Sequence, residues 1–173
     1  MGKVKLLLPF RGGTIIEASV SAALCACPRV ILVVGCGAAG LAALFRTEPR
    51  VLPVENRDWQ SGMFSSLLCG MRKVETARCF IALGDMPLIG HEVYLAMLDA
   101  PPAEAVAPVF RGIRGHPVLL GARVKEEALR QDPASGSMRK ILAGCAVAEV
   151  PWKDDTILTD VDTPEDYARR ISS

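Results

Sequence analysis

The sequence predicts an α/β fold: a mostly parallel sheet with helices on both faces, in three layers. Three observations carry that prediction. Short runs rich in Val, Leu and Ile recur along the 173 residues without the in/out alternation of a half-exposed strand. Segments with helical spacing lie between most of them. Half of the residues are hydrophobic but only 5% are aromatic, so the interior must be built from aliphatic side chains, as layered α/β domains usually are.

Taken in order, the leucine-rich run Lys5–Leu8 reads as a strand and Ile15–Leu24 as a helix. Val30–Val34, Val51–Val54 and Cys79–Leu83 read as strands because β-branched and apolar residues end at Gly, Pro or a polar residue. Ala105–Val109, Pro117–Leu120 and Ala146–Val150 follow for the same reason. Helical spacing marks Ala38–Phe45, Phe64–Val74, Glu92–Leu98, Val124–Arg130 and Met138–Leu142 between them. Thr163-Pro164 followed by acids caps a last helix over Glu165–Ile171, with Pro164 at its first position. Pro101-Pro102 marks a loop, no repeat or linker intervenes, and residues 1–173 read as one domain.

Charge and composition exclude several function classes. Twenty basic residues against nineteen acidic ones leave a formal charge of +1 with no basic block, which argues against a nucleic-acid partner. The longest uncharged stretch, Val30 to Phe45, is broken by Gly35, Gly37 and Gly40 and is too short to span a membrane. The start lacks the long apolar core of a signal peptide, so the expected location is cytoplasmic. The six cysteines (Cys25, Cys27, Cys36, Cys69, Cys79, Cys145) show no C-x-x-C pair and read as reduced, buried, small hydrophobes.

Ligands of parallel sheets bind beyond the carboxyl ends of the strands, which directs attention to the residues there. Phe80-Ile81-Ala82-Leu83-Gly84-Asp85 delivers an aspartate to such an end, suited either to a hard cation such as magnesium or to capping the next helix. Asp160 and Asp162 stand on alternate residues of an extended segment and point the same way, so Asp162 is a candidate second carboxylate. Asn56 to Ser66 is a polar loop running into a helix, where amides and hydroxyls can meet phosphate or a base edge or merely cap the helix. Arg114-Gly115-His116-Pro117 puts a cation and an imidazole before a strand, although a satisfied turn histidine is the commoner occurrence. Val30–Val34 followed by Gly35-x-Gly37-x-x-Gly40, with Glu55 ending the next strand, also fits a dinucleotide fingerprint.

In this order the motifs make the chain resemble the molybdenum cofactor cytidylyltransferase group of nucleotidyltransferases. The matching pieces are Met1-Gly2-x-x-Lys5-Leu-Leu-Leu-Pro9, Asn56-x-x-Trp59-x-x-Gly62-Met63-x-x-Ser66, Gly84-Asp85-Met86-Pro87, Arg114-Gly115-His116-Pro117 and Asp160-x-Asp162-Thr163-Pro164-x-Asp166. The resemblance implies a Rossmann-like, glycosyltransferase-A-like fold. It implies transfer of a nucleoside monophosphate, CMP in preference to GMP, from a triphosphate to a phosphorylated acceptor of the molybdopterin type, with release of pyrophosphate. Asp85 and Asp162 would hold Mg2+, or Mn2+ in its place, and with Lys5 form the catalytic set. Gly2, Lys5, Asn56, Gly62, Ser66 and Gly84 would bind the nucleotide, and Arg114 and His116 the acceptor. A molybdoenzyme would be the eventual recipient of the product.

Members of that group open with a strand and a glycine-rich loop, L-A-A-G-x-S-x-R-M-G. Met1-Gly2 matches the last two residues of that loop, so the resemblance implies that the chain as written lacks the phosphate cradle. It also predicts unpaired backbone in mid-sheet unless Lys5–Leu8 or a partner fills the gap. Two alternatives stand beside the transferase: a non-catalytic protein that binds the molybdenum cofactor or matures a molybdoenzyme, and a dinucleotide-binding protein using Gly35, Gly37 and Gly40.

Overall fold

The computed structural model describes residues 5–35, 39–161 and Tyr167. The α/β class is as expected, but the sheets are mixed. Lys5–Leu7 forms a 3-10 helix and is not a strand, which corrects the first element. Its leucines bury themselves against helix α1 (Ile15–Leu24) and its surroundings, a task that an apolar run can meet in any backbone conformation.

A two-residue hairpin follows, β1 (Pro9–Phe10) paired antiparallel with β2 (Gly13–Thr14). Its central residues, Arg11 and Gly12, have φ of 46° and 84°, as a type I′ turn requires. Thr14 then starts α1 with a reciprocal cap: its amide donates to Glu17 Oε2 at 2.8 Å, and the Glu17 amide donates to Thr14 Oγ1 at 3.4 Å.

Strand β3 (Val30–Val34) lies parallel to β4 (Val51–Glu55), in register from Val30 opposite Val51 to Val34 opposite Glu55. Helix α2 (Ala39–Leu44) makes the crossover. Helix α3 (Met63–Met71) packs back on β3, where a Cβ on Gly70 would come within 2.9 Å of Val33 Cγ2.

The second sheet has five strands: β5 (Cys79–Ile81), β6 (Ala105–Phe110), β7 (Ile113–Arg114), β8 (Val118–Leu120) and β9 (Val147–Pro151). β8 runs antiparallel between β5 and β6, whereas β9 runs parallel along the other edge of β6. The chain reverses into β8 because β6 and β7 form another tight hairpin, with Arg111 and Gly112 at φ 49° and 78°. In each hairpin turn the guanidinium stacks on the preceding phenylalanine, 5.1 Å from the ring centroid. Among the described residues β3 bonds only to β4 and β5 only to β8, so no hydrogen bonds join the two sheets.

Helices α4 (His91–Leu98), α5 (Ala122–Arg130) and α6 (Met138–Ala143) cover the second sheet. One cluster centres on Val93, Met97, Val106 and Leu119, another on Leu68, Leu120, Val124 and Ala128. The predicted helix over Glu165–Ile171 lies outside the described residues apart from Tyr167, which is helical and donates to the Pro9 carbonyl at 2.7 Å. The five described cysteines are free thiols but not fully buried, and Cys25 is exposed. No helix among the described residues is long and apolar enough to cross a membrane.

Gly115 shows how tightly the loop before β8 is drawn in. A Cβ there would collide with the Ile157 backbone carbonyl, while the neighbouring His116 amide donates to that same oxygen at 2.9 Å. Gly115→Ala is therefore expected to destabilise the protein by about 1–3 kcal/mol, read as a lower urea midpoint with an unchanged m value.

Candidate active site

Strand β5 ends at Ile81, and the chain continues through Leu83 and Gly84 to Asp85. Gly84 is required there for packing: a Cβ would stand 2.8 Å from Ile16 Cδ1 of α1, and its carbonyl accepts the Ser19 hydroxyl at 3.1 Å. Asp85 is thereby held at the carboxyl end of the strand with its side chain 26% exposed. Its Oδ2 accepts the Lys5 ammonium at 2.8 Å across 80 residues of sequence. Two of the predicted catalytic residues are thus brought together.

The third, Asp162, lies outside the described residues, as does Gly2. Its neighbour does not: the Val161 amide donates to the Asp85 carbonyl at 2.9 Å, and Val161 itself is buried. Ile157 and Thr159, also buried, fix the approach to this point.

His116 approaches from the other side. Burial is the main influence on its ring and lowers its pKa below 6.5; a hydrogen bond to the Ile81 carbonyl and the negative charge of Asp85 pull the other way without prevailing. The imidazole is neutral at physiological pH, and its buried Nδ1 has no partner. Arg114, two residues earlier, is not brought to this place. It sits half-exposed on β7, with its Nε donating to Glu149 Oε1 of β9 at 2.8 Å.

Asn56, Gly62 and Ser66 form a second node at the end of β4. Asn56 is 4% exposed, and both donor hydrogens of its amide are taken, by Ser65 Oγ at 2.9 Å and Ser66 Oγ at 3.0 Å. Its Oδ1 accepts the Asp58 amide at 3.0 Å. Asn56 therefore holds the shape of its own loop. Gly62, with φ of 98°, makes the turn into α3 that no ordinary side chain would favour. The Ser65 hydroxyl, which the sequence does not single out within this loop, joins Asn56 to the carbonyls of Asp58 and Gly62 at 3.0 and 2.8 Å. Its helix-start position beside Ser66 was the available signal.

Around this node two large apolar side chains remain in solvent: Trp59, 47% exposed, and Met63, 70% exposed. A Cβ on Gly35, after β3, would lie 3.7 Å from the Trp59 side chain. Gly35 thus abuts the indole, whereas Gly37 of the fingerprint lies outside the described residues. No group of three or more His, Cys, Asp or Glu suited to a metal occurs among the described residues. One or two carboxylates suffice for magnesium when phosphate and water supply the other oxygens.

The lowered pKa of His116 carries a pH dependence. The unfolded chain binds that proton more readily than the folded one, so stability is full above about pH 6.5 and falls as the pH drops from there towards the folded-state pKa. Urea midpoints at pH 7.5 and 5.5 are expected to differ less in His116→Phe than in the wild type.

Comparison with known proteins gives this geometry a context. The chain is 30% identical to the molybdenum cofactor cytidylyltransferase of Escherichia coli over 167 residues, covering 96% of this chain and 86% of that protein. It is equally 30% identical, over 186 residues, to the nicotine blue oxidoreductase of Paenarthrobacter nicotinovorans, covering 96% of this chain and 87% of that one. Among solved structures, Rv0371c of Mycobacterium tuberculosis superposes with a TM-score of 0.83 at 26% identity, over 100% of this chain and 92% of that chain. The same protein has been solved as a complex with manganese, with a TM-score of 0.81 at 27% identity over 99% and 94% of the respective chains. Residues 1–164 match the family model, and the chain belongs to the family of the MobA-like NTP transferase domain.

Proposed function

We propose that the protein is a magnesium-dependent nucleotidyltransferase that moves CMP, in preference to GMP, from CTP to the terminal phosphate of a molybdopterin-type cofactor. The observation that carries this reading is the Lys5–Asp85 ion pair at the carboxyl end of β5, where the Val161 amide also donates to the Asp85 carbonyl. Similarity to the Escherichia coli cytidylyltransferase supports the choice of base and acceptor. The manganese complex of Rv0371c supports a divalent ion in a related fold.

The residues fit such an ion, because the Asp85 carboxylate already faces a cation, the Lys5 ammonium. Asp85 and Asp162 would hold Mg2+, or Mn2+ in its place. When bound, the metal supplies positive charge against the triphosphate. The rest belongs to the chain. Lys5 donates to phosphate oxygens and offsets the charge that grows on the departing pyrophosphate. An oxygen of the acceptor's phosphate attacks the α-phosphorus, a new P–O bond forms, and the bond to the bridging oxygen breaks as pyrophosphate leaves. Gly84 lets Ile16 of α1 approach the strand end closely and so supports the nucleotide site from beneath, while Asn56, Gly62 and Ser66 shape the loop that meets the nucleotide.

His116 and Arg114 serve the acceptor in this reading. Neutral His116 offers Nδ1 as an unengaged acceptor of a hydrogen bond. Arg114 would exchange Glu149 for an anionic ligand, since an exposed ion pair of this kind is worth only about 0–1 kcal/mol.

A second reading, an oxidoreductase using a nicotinamide dinucleotide at Gly35, Gly37 and Gly40, is favoured by the resemblance to nicotine blue oxidoreductase. One pair of assays separates the two. Assayed with the group's L-A-A-G-type loop joined ahead of Met1, the protein with CTP, Mg2+ and molybdopterin cofactor is expected to release pyrophosphate, and NADPH with a quinonoid dye to remain unoxidised; the reverse result overturns the transferase. Asp85→Ala and Asp162→Ala are each expected to lower pyrophosphate release by about 100-fold or more while circular dichroism stays unchanged. Full activity in either variant removes that residue from the metal site.

A further inference from the structure

Asp85 Oδ2 is engaged by Lys5 Nζ at 2.8 Å, with the two side chains 26% and 25% exposed. The same carboxylate is the proposed metal ligand, and the two uses compete. A divalent ion about 2.0–2.1 Å from an Asp85 oxygen, with the ammonium still in place, would put two cations within about 4 Å of each other. With no polyanion beside them, the ammonium and the ion compete for the one carboxylate.

Lysine is the cation built to move. Its charge is a point on a flexible four-carbon stem, whereas its backbone is fixed in the 3-10 helix, where the Leu8 amide donates to the Lys5 carbonyl at 3.1 Å. Leu6 and Leu7 pack against Ile16 and Val20 of α1 and hold that turn in place. The ammonium can therefore swing while the segment stays. What draws it away is a polyanion, since a triphosphate offers it more negative charge than a single carboxylate.

We propose that Lys5 is a built-in placeholder cation: it neutralises Asp85 in the empty protein, keeps divalent ions off, and gives up its place only when a nucleotide's phosphates take the ammonium. Nucleotide and metal then enter together. Stray divalent ions then do not collect in the empty site. This inference rests on the transferase reading of the site.

The test is Mn2+ binding, followed by the electron paramagnetic resonance signal of free Mn2+, with and without a non-hydrolysable CTP analogue. The wild type is expected to bind Mn2+ weakly alone and tightly with the analogue. Lys5→Met and Lys5→Gln, which remove the charge, are expected to tighten Mn2+ binding without nucleotide by about tenfold or more, and Lys5→Arg to leave it weak. Asp85→Asn is expected to abolish binding in either condition. Two neutral variants that bind Mn2+ no better than the wild type, whatever their stability, overturn the placeholder role and reduce the pair to a strut. A wild type that binds no Mn2+ even with the analogue, and is indifferent to Asp85→Asn, instead overturns the metal-site reading itself.

Discussion

The carboxyl end of β5 is the point on which the molecule's arrangement turns. One backbone hydrogen bond, from the Val161 amide to the Asp85 carbonyl, sews the last part of the chain to the middle, and one ion pair sews the first part to the same residue. Neither would be possible without the packing beneath. Gly84 gives α1 room to press its Ile16 against the strand end, and Ser19 secures the carbonyl there. A position that looks like a ligand contact is thus already necessary for the core. Three segments far apart in sequence meet at one residue, Asp85, through its carboxylate and its backbone carbonyl.

The polar nodes divide their work in a way that residue types alone do not announce. Asn56 is a buried amide whose donors are consumed by Ser65 and Ser66. Leaving either unmet in the interior would carry a desolvation cost, so the three side chains form a self-satisfied unit. Arg114 and His116, adjacent in their motif, go to different surroundings: one to a half-exposed ion pair on β9, the other into a low-dielectric pocket near Asp85. Between them Gly115 is pulled against Ile157, where a Cβ would meet the backbone carbonyl.

Much of this was legible in the sequence. Helix Ile15–Leu24 and strand Val30–Val34 have the predicted bounds, because helical spacing and a β-branched run closed by glycine are local signals that tertiary packing reinforced. The direct contact of Lys5 with Asp85 was not legible, since the resemblance assigns the lysine to phosphate and the aspartate to the metal. Strand direction was not legible. Val118–Leu120 is as apolar as a parallel strand would be, and only the turn at Arg111-Gly112 tells that it runs the other way. An arginine in the left-handed region carries a steric cost that sequence reading assigns to glycine or asparagine, and its stacking on the preceding phenylalanine appears only in three dimensions. Lys5–Leu7 was misread for a related reason: apolar runs of three or four residues declare burial, not conformation.

The saturation of Asn56 also bears on how this fold could be re-engineered. Under the transferase proposal, a designer wishing to change the base would turn first to the polar side chain at the end of β4, yet that amide has no donor left to lend to a ligand. Exchanging it would melt the loop before it rewrote the preference. Under the same proposal, the exposed Trp59 and Met63 are the positions beside this node where libraries can vary chemistry without dissolving the frame.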